Sequence, residues 1–308
     1  MTLSSAFASA LRGLAAGLTM GLAALATTGA HAAPALQAQT RYPIVLVHGM
    51  LQYDALLGTD NFYGVPAALR ASGAKVYVAT LSTINSDAVR GEQLLQQLRQ
   101  WAAADGHKRF NLIGHSQGGT TSRYVAGVAP DLVASVTTIG TPHYLDGHGN
   151  VMKLVSLAQS NPEVFNSVGK LINWLTGHPN EPIDTAAAIA QYENESKAFN
   201  ARFPQGQPTS PCGTGAGLVN GIRYYSATGN VAKTNVLDIT DLLHSETVEP
   251  SDGFMPVCTT HWGQVIRDTY PWNHYDEINQ LFGLIGIGAP DPVSFYVQQA
   301  NRLKLLGL

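Results

Sequence analysis

The stretch Phe110-Asn-Leu-Ile-Gly-His-Ser-Gln-Gly-Gly119 constrains this chain more than any other. Phe110 to Ile113 reads as a buried strand. Gly-x-Ser-x-Gly follows, and then a helix-compatible stretch from Thr120 to Val128. A serine between strand and helix sits on a turn so tight that small residues must flank it, with its hydroxyl exposed at the strand's end. The five-letter motif alone arises by accident in a glycine-rich chain, and an ordinary surface turn would look the same. The flanking strand and helix supply the context that makes Ser116 a candidate nucleophile.

The surrounding pattern places that turn in a sheet. Pro43-Ile-Val-Leu-Val47 is an apolar run suited to a strand buried on both faces. Lys75 to Ala79 and Leu132 to Ile139 are further strand candidates. Gly64 to Ser72 suits a helix ended by Gly73. In Ala88 to Ala104, Leu94, Leu95, Leu98, Trp101 and Ala102 recur at helical spacing. Ile222 to Ala227 resumes strand character, and Pro292 to Leu303 suits a closing helix. Alternating strands and helices imply an α/β fold with a mostly parallel sheet and helices on both faces. Ligand-handling groups in such sheets lie at the carboxyl ends of the strands. His48-Gly49-Met50, Ser116 and Gly140-Thr-Pro-His143 all fall there.

The alternation breaks from about 147 to 203. Val164, Phe165, Val168, Leu171, Ile172 and Leu175 form one helical stripe with Trp174 beside it, and Val151 to Ala158 suits a second short helix. Because this insertion follows the Gly140–His143 edge, it is expected to be a lid over the cleft. A pair of core helices is the alternative.

The opening residues read as a secretory signal peptide over 1–32. Arg12 is their only charge, Gly13 to Ala26 is apolar, and Ala30-His31-Ala32 fits a small-x-small cleavage site. The remaining 33–308 suits a single domain. The net charge of −3 and the absence of a basic cluster give no sign of nucleic-acid binding. In an exported chain, Cys212 and Cys258 are expected to pair. The bridge would close a loop of about 46 residues, a contribution of about 3–4 kcal/mol in the chain-entropy picture.

A serine hydroxyl needs a histidine to take its proton and a carboxylate to orient that histidine. Downstream of Ser116 the acids include Asp238, Asp241, Asp252, Asp268 and Asp276, and the histidines are His244, His261 and His274. Spacing does not choose among them. An oxyanion site also needs backbone donors. These are expected from Gln117, which follows the serine, and Met50, which follows the first strand. His48 reads as an orienting side chain, and His115 as a packed or orienting one.

Val47-His-Gly-Met-Leu51, Gly114-His-Ser-Gln-Gly118 and Asn273-His-Tyr-Asp-Glu-Ile-Asn-Gln280 together resemble the Pseudomonas lipase family, secreted triacylglycerol lipases of the α/β-hydrolase superfamily. Val219-Asn-Gly-Ile-Arg-Tyr-Tyr225 and Asn301-Arg-Leu-Lys304 extend the likeness, which runs from about Arg41 to Leu303. The resemblance implies Ser116 as nucleophile, Asp252 as acid, His274 as base, and Met50 and Gln117 as oxyanion donors. It leaves His261 a structural role. The family shows histidine or glutamine at the position of Gln117, and a backbone donor tolerates either. The resemblance also implies the Cys212–Cys258 bond. It implies one structural calcium ion, held by the Asp238 and Asp276 carboxylates and the Gln280 and Leu284 carbonyls. That ligand set suits an ion that takes six to eight oxygens. A dedicated foldase is the implied export partner.

Two positions depart from the family pattern. Gln52 stands where many members have glycine, and Tyr144-Leu-Asp146 replaces a small-residue stretch. The expected activity is ester hydrolysis of long-chain triacylglycerols at a lipid–water interface. A soluble short-chain esterase or polyester depolymerase is the alternative, and a silent lipid-binding hydrolase fold is a more distant one.

Overall fold

Ile44–Val47 forms β1, and all four of its side chains are buried. Val45 and Val47 join one core cluster, whereas Ile44 and Leu46 join another. Alternate residues of a strand point to opposite faces. A strand covered on both faces must therefore be apolar throughout, which is what the run of four shows. The computed structural model describes residues 36–144, 151–190, 192, 195–210, 212–244 and 249–308. The expected signal peptide, residues 145–146 of the second departure and parts of the insertion lie outside these residues.

A short hairpin of β2 (Ala55–Leu56) and β3 (Thr59–Asp60) follows β1, then α1 (Val65–Ala71) and β4 (Val76–Val78). Next come α2 (Asp87–Asp105), β5 (Phe110–His115), α3 (Gln117–Val128) and β6 (Val133–Ile139). The region after β6 supplies α4 (Val151–Ser160), α5 (Pro162–Leu175), α6 (Thr185–Ala190) and α7 (Ser196–Arg202). The chain then returns through β7 (Leu218–Val219), β8 (Ile222–Gly229), β9 (Gln264–Tyr270) and α8 (Pro292–Leu305).

The strand order is β4-β1-β5-β6-β8, with β7 and β9 both paired to β8. Every pairing in this sheet is parallel except that of β7 with β8. Asn220 and Gly221 join β7 to β8 with φ of 50° and 77°. That sign at both turn positions is the reason Asn-Gly works there.

Local signals set the helix ends. The Ser86 side chain accepts from Val89 N–H, and Gly106 closes α2 at φ 73°. Asp291 accepts from Val293 and Ser294 N–H, and Pro292 opens α8. Leu94, Leu95 and Leu98 of α2 and Val125 of α3 cover one face of the sheet. Leu69 of α1 and Phe295, Tyr296 and Ala300 of α8 cover the other, with Trp272. The expected strands and helices recur within about two residues, except that α3 begins at Gln117, directly after the serine. The hairpin, α6, α7, β7 and β9 had no clear sequence signal.

Candidate active site

Ser116 is the single residue between β5 and α3, with φ 53° and ψ −129°. A side-chain-bearing residue takes this conformation only when its surroundings enforce it. The Ser116 N–H is fixed to Ile139 O on β6 at 2.8 Å. A Cβ on Gly114 would lie 2.3 Å from Gly118 O, and one on Gly118 would lie 2.0 Å from Val47 O. Neither position accepts any side chain, so the motif's glycines are required by contact between β1, β5 and α3.

Of the five acids and three histidines, one pair meets beside the serine. His274 Nδ1–H donates to Asp252 Oδ2 at 2.7 Å, and both residues are buried. Asp252 Oδ1 accepts from Phe254 and Met255 N–H at 2.9 and 2.6 Å, and Asp252 O accepts from His274 N–H at 2.8 Å. The carboxylate is thereby locked in its own turn. Ser116 and His274 line one cavity together with Met50 and apolar side chains of α4, α5 and α6, including Leu154, Phe165 and Ile189. No direct hydrogen bond joins the Ser116 and His274 side chains in this structure. Apart from them, Asp268 pairs with His261 at 3.2 Å, and His261 also bonds Gly213 O beside the Cys212–Cys258 disulfide.

The loop after β1 is built by its neighbours. His48 is fully buried, and burial with the Arg90 charge pushes its imidazole down to about 3, so it stays neutral. Its Nδ1–H donates to Gly49 O at 3.0 Å, and its Nε2 accepts from Leu81 N–H at 3.3 Å. This is the orienting role expected of it. A Cβ on Gly49 would lie 2.7 Å from Ser116 Cβ, so glycine lets this backbone reach the serine. Among the described residues, Met50 and Gln117 N–H donate to no other group.

Residues 42–257 match the family described as the alpha/beta hydrolase fold. A triacylglycerol lipase of Vibrio cholerae serotype O1 is 48% identical over 280 residues, covering 88% of this chain and 90% of that protein. The chain belongs to the triacylglycerol lipase family of α/β-hydrolases. A second relative, a triacylglycerol lipase of Burkholderia plantarii, is 39% identical over 96% of this chain and 93% of its own. Among solved structures, Staphylococcus hyicus lipase aligns with a TM-score of 0.57 over 87% of this chain and 97% of that one. At 17% identity, that likeness speaks for the fold.

In this α/β-hydrolase the loop after β9 holds more than the histidine. Asn273 Oδ1 accepts from Tyr275 and Asp276 N–H at 2.8 and 2.7 Å, and Asn273 Nδ2 donates to Asp241 Oδ1 at 2.8 Å. Asp241 is therefore a brace for the loop. Glu277 is also buried, with Oε1 accepting from Gly229 N–H at 2.6 Å. Its Oε2 lies 3.2 Å from His115 Nε2, close but not aligned for a hydrogen bond, and 3.9 Å from His274 Nδ1. Burial, and then the Asp252 charge, push the Glu277 carboxyl well above the usual range. Sequence reasoning passed over Asp241 as a brace and Glu277 altogether.

Of the expected metal ligands, the two carboxylates suit a cation. Asp238 and Asp276 are buried, and each keeps one carboxylate oxygen without a hydrogen-bond partner, Oδ2 and Oδ1 respectively. Burial pushes Asp276 up to about 7, with the Asp238 and Asp241 charges adding to the rise. Two buried acids that repel each other and hold unpaired oxygens suit a divalent cation. His115, His274 and Glu277 also cluster closely enough to grip an ion. However, His274 Nδ1 in that cluster is already bonded to Asp252.

Proposed function

We propose that this chain is a secreted lipase that hydrolyses the ester bonds of triacylglycerols at a lipid–water surface. The observation that carries this reading is the His274–Asp252 pair at 2.7 Å, set in the wall of the apolar cavity that Ser116 also lines. Family membership supports the substrate class.

In the proposed reaction, His274 Nε2 takes the proton from Ser116 Oγ as Oγ attacks the ester carbonyl carbon. Hydrogen bonds in such sites tighten when substrate binds. Asp252 holds Nδ1–H, so Nε2 is the free base, and stabilises the imidazolium. Met50 and Gln117 N–H stabilise the oxyanion. His274 then passes its proton to the leaving glyceride oxygen, and an acyl-serine remains. Water repeats the sequence and releases the fatty acid.

The outer face of α5 supports the interfacial part of the reading. Val164, Val168, Leu171 and Trp174 are exposed there, Trp174 by 66%, while Phe165 lines the cavity beneath. Such a face is unfavourable in water and favourable against an apolar phase. Asp238, Asp276 and the Gln280 and Leu284 carbonyls would hold one calcium ion, which supplies positive charge between two buried carboxylates. Export by the leader at 1–32, with a foldase partner, completes the proposal.

The test compares emulsified triolein with a dissolved short-chain nitrophenyl ester, together with fluorophosphonate labelling. The reading predicts labelling at Ser116, loss of both activities in Ser116→Ala, and a rate jump when substrate exceeds its solubility. Activity confined to the dissolved ester would favour a short-chain esterase, and no label at all would point to a silent binding fold.

A further inference from the structure

Gln52 lies in the loop after β1 and is buried, with 4% exposure. Its Oε1 accepts from Gly49 N–H at 2.8 Å and from Asn61 Nδ2 at 3.3 Å. Two donors on one atom fix the orientation of the amide, so Nε2 must be the donor at its other end. That Nε2 donates to His115 Nδ1 at 3.0 Å. Oε1 also lies 3.2 Å from that Nδ1, but His274 O, 2.9 Å from His115 Nε2, can only accept, so His115 carries its proton on Nε2 and Nδ1 is the acceptor.

These contacts form one line. It begins at the amide preceding Met50, passes through Gln52 and His115 beside the nucleophile, and ends on the backbone of the base. We propose that Gln52 is a positioning residue that ties the oxyanion loop to the loop carrying His274, using His115 as the link. The inference rests on the ester-hydrolase reading above.

The physical argument concerns direction. Met50 N–H stabilises an oxyanion only when it is aimed at the place where that charge develops. Its peptide plane follows from the atoms on either side. Arg90 holds His48 O, and Thr83 O accepts from Leu51 N–H at 2.9 Å. Between those two anchors, Gly49 O, in the same plane as Met50 N–H, is held by His48 Nδ1–H at 3.0 Å, and Gly49 N–H, in the plane before it, is held by Gln52. Freeing Gly49 N–H removes one of the holds on the plane before and lets the direction of Met50 N–H drift, while the other walls of the cavity stay in place. Loss of the amide also leaves His115 Nδ1 unpaired in a fully buried position, which loosens its tautomer and with it the grip on His274 O.

Gln52→Met keeps the volume and removes both polar ends. The experiment measures kcat and KM on a dissolved nitrophenyl ester, normalised to sites titrated with a phosphonate, alongside the rate of phosphonate inactivation and Tm. The expected result is a kcat lower by about 10- to 100-fold. Gln52 also lines the cavity, and Met keeps its volume there, so KM should stay within about twofold. Inactivation should slow in parallel, since phosphorus attack builds charge on the same oxygen. Gln52→Asn, one methylene short of spanning Gly49 and His115, should fold and show the same split.

A residue that merely packs would lower Tm and the titrated fraction but leave kcat per site at the wild-type value. That outcome in Gln52→Met overturns the inference, and if Gln52→Met fails to fold, the same outcome in Gln52→Asn does so. A wild-type protein that neither turns over the ester nor takes the label at Ser116 sinks the proposed function instead.

Discussion

Arg90 shows how one residue can hold a loop it does not belong to. It is fully buried on α2, and its guanidinium donates to Ser82 O, His48 O and Thr121 Oγ1. Burial lowers it to about 10 and lifts its neighbour Asp87 to about 6, with Thr120 Oγ1 and the Arg90 charge holding that acid down in part. Arg90→Met would strip two buried carbonyls of a donor and leave Asp87 with one nearby cation fewer, Arg123 remaining. We expect a loss of about 2–4 kcal/mol, read as a shift in urea midpoint, and reduced activity through the His48 carbonyl. Arg90→Lys should recover little, because one ammonium does not reproduce a planar fork of donors. An unchanged midpoint in Arg90→Met would contradict this account. Neither this grip nor the Gln52–His115 contact was legible in the sequence. The partners stand 42 and 63 positions apart, and polar pairs at such distance leave no periodic trace. Ser116 was legible because sterics force its neighbours to be glycine. Asp252, by contrast, stood among five equal acids until the resemblance singled it out.

At the scale of elements, the central strands were readable because two covered faces demand an unbroken apolar run. β9 was not. Its residues are half-buried or exposed, and Arg267 and Asp268 interrupt its pattern. The helices α6 and α7, of six and seven residues, are too short to show a period. The stripe on α5 was readable but wider than what it buries. Phe165 turns toward the cavity and Gly169 is buried, whereas Val164, Val168 and Leu171 face outward. Water gains nothing from those outward side chains, so their replacement should not weaken the fold. Leu171→Ser combined with Trp174→Ser should lower the rate on emulsified triolein by at least about fivefold, since a Leu and a Trp each contribute roughly 1.5–3 kcal/mol when buried against an apolar phase. The rate on the dissolved ester should stay within about twofold. Equal losses on both substrates would mean that this face does not meet the lipid.

For the molecule as a whole, one observed and one proposed cross-link join late segments of the chain to one another. The Cys212–Cys258 bond ties the turn after Asp252 to the segment that follows α7. The proposed calcium ion would tie Asp238, after β8, to Asp276, two residues beyond His274. Without a cation, those acids are buried, and burial with the Asp238 and Asp241 charges pushes the Asp276 carboxyl up to about 7. A ligand that binds the folded state alone stabilises it in proportion to the logarithm of its concentration over Kd, about 3–4 kcal/mol at a hundred to a thousand times Kd. For a domain of this size, chelation should lower Tm by about 5–10 °C. Activity should fall with it, because the loop that loosens carries His274, the proposed base. Calcium should restore both, and magnesium should not, since it demands a tighter octahedral shell than two carboxylates and two carbonyls offer. Asp276→Ala should start near the chelated Tm and ignore the chelator. A protein whose Tm and activity are both indifferent to chelator would leave the unpaired oxygens of Asp238 and Asp276 to some other partner, and the brace at His274 to Asn273 and Asp241 alone.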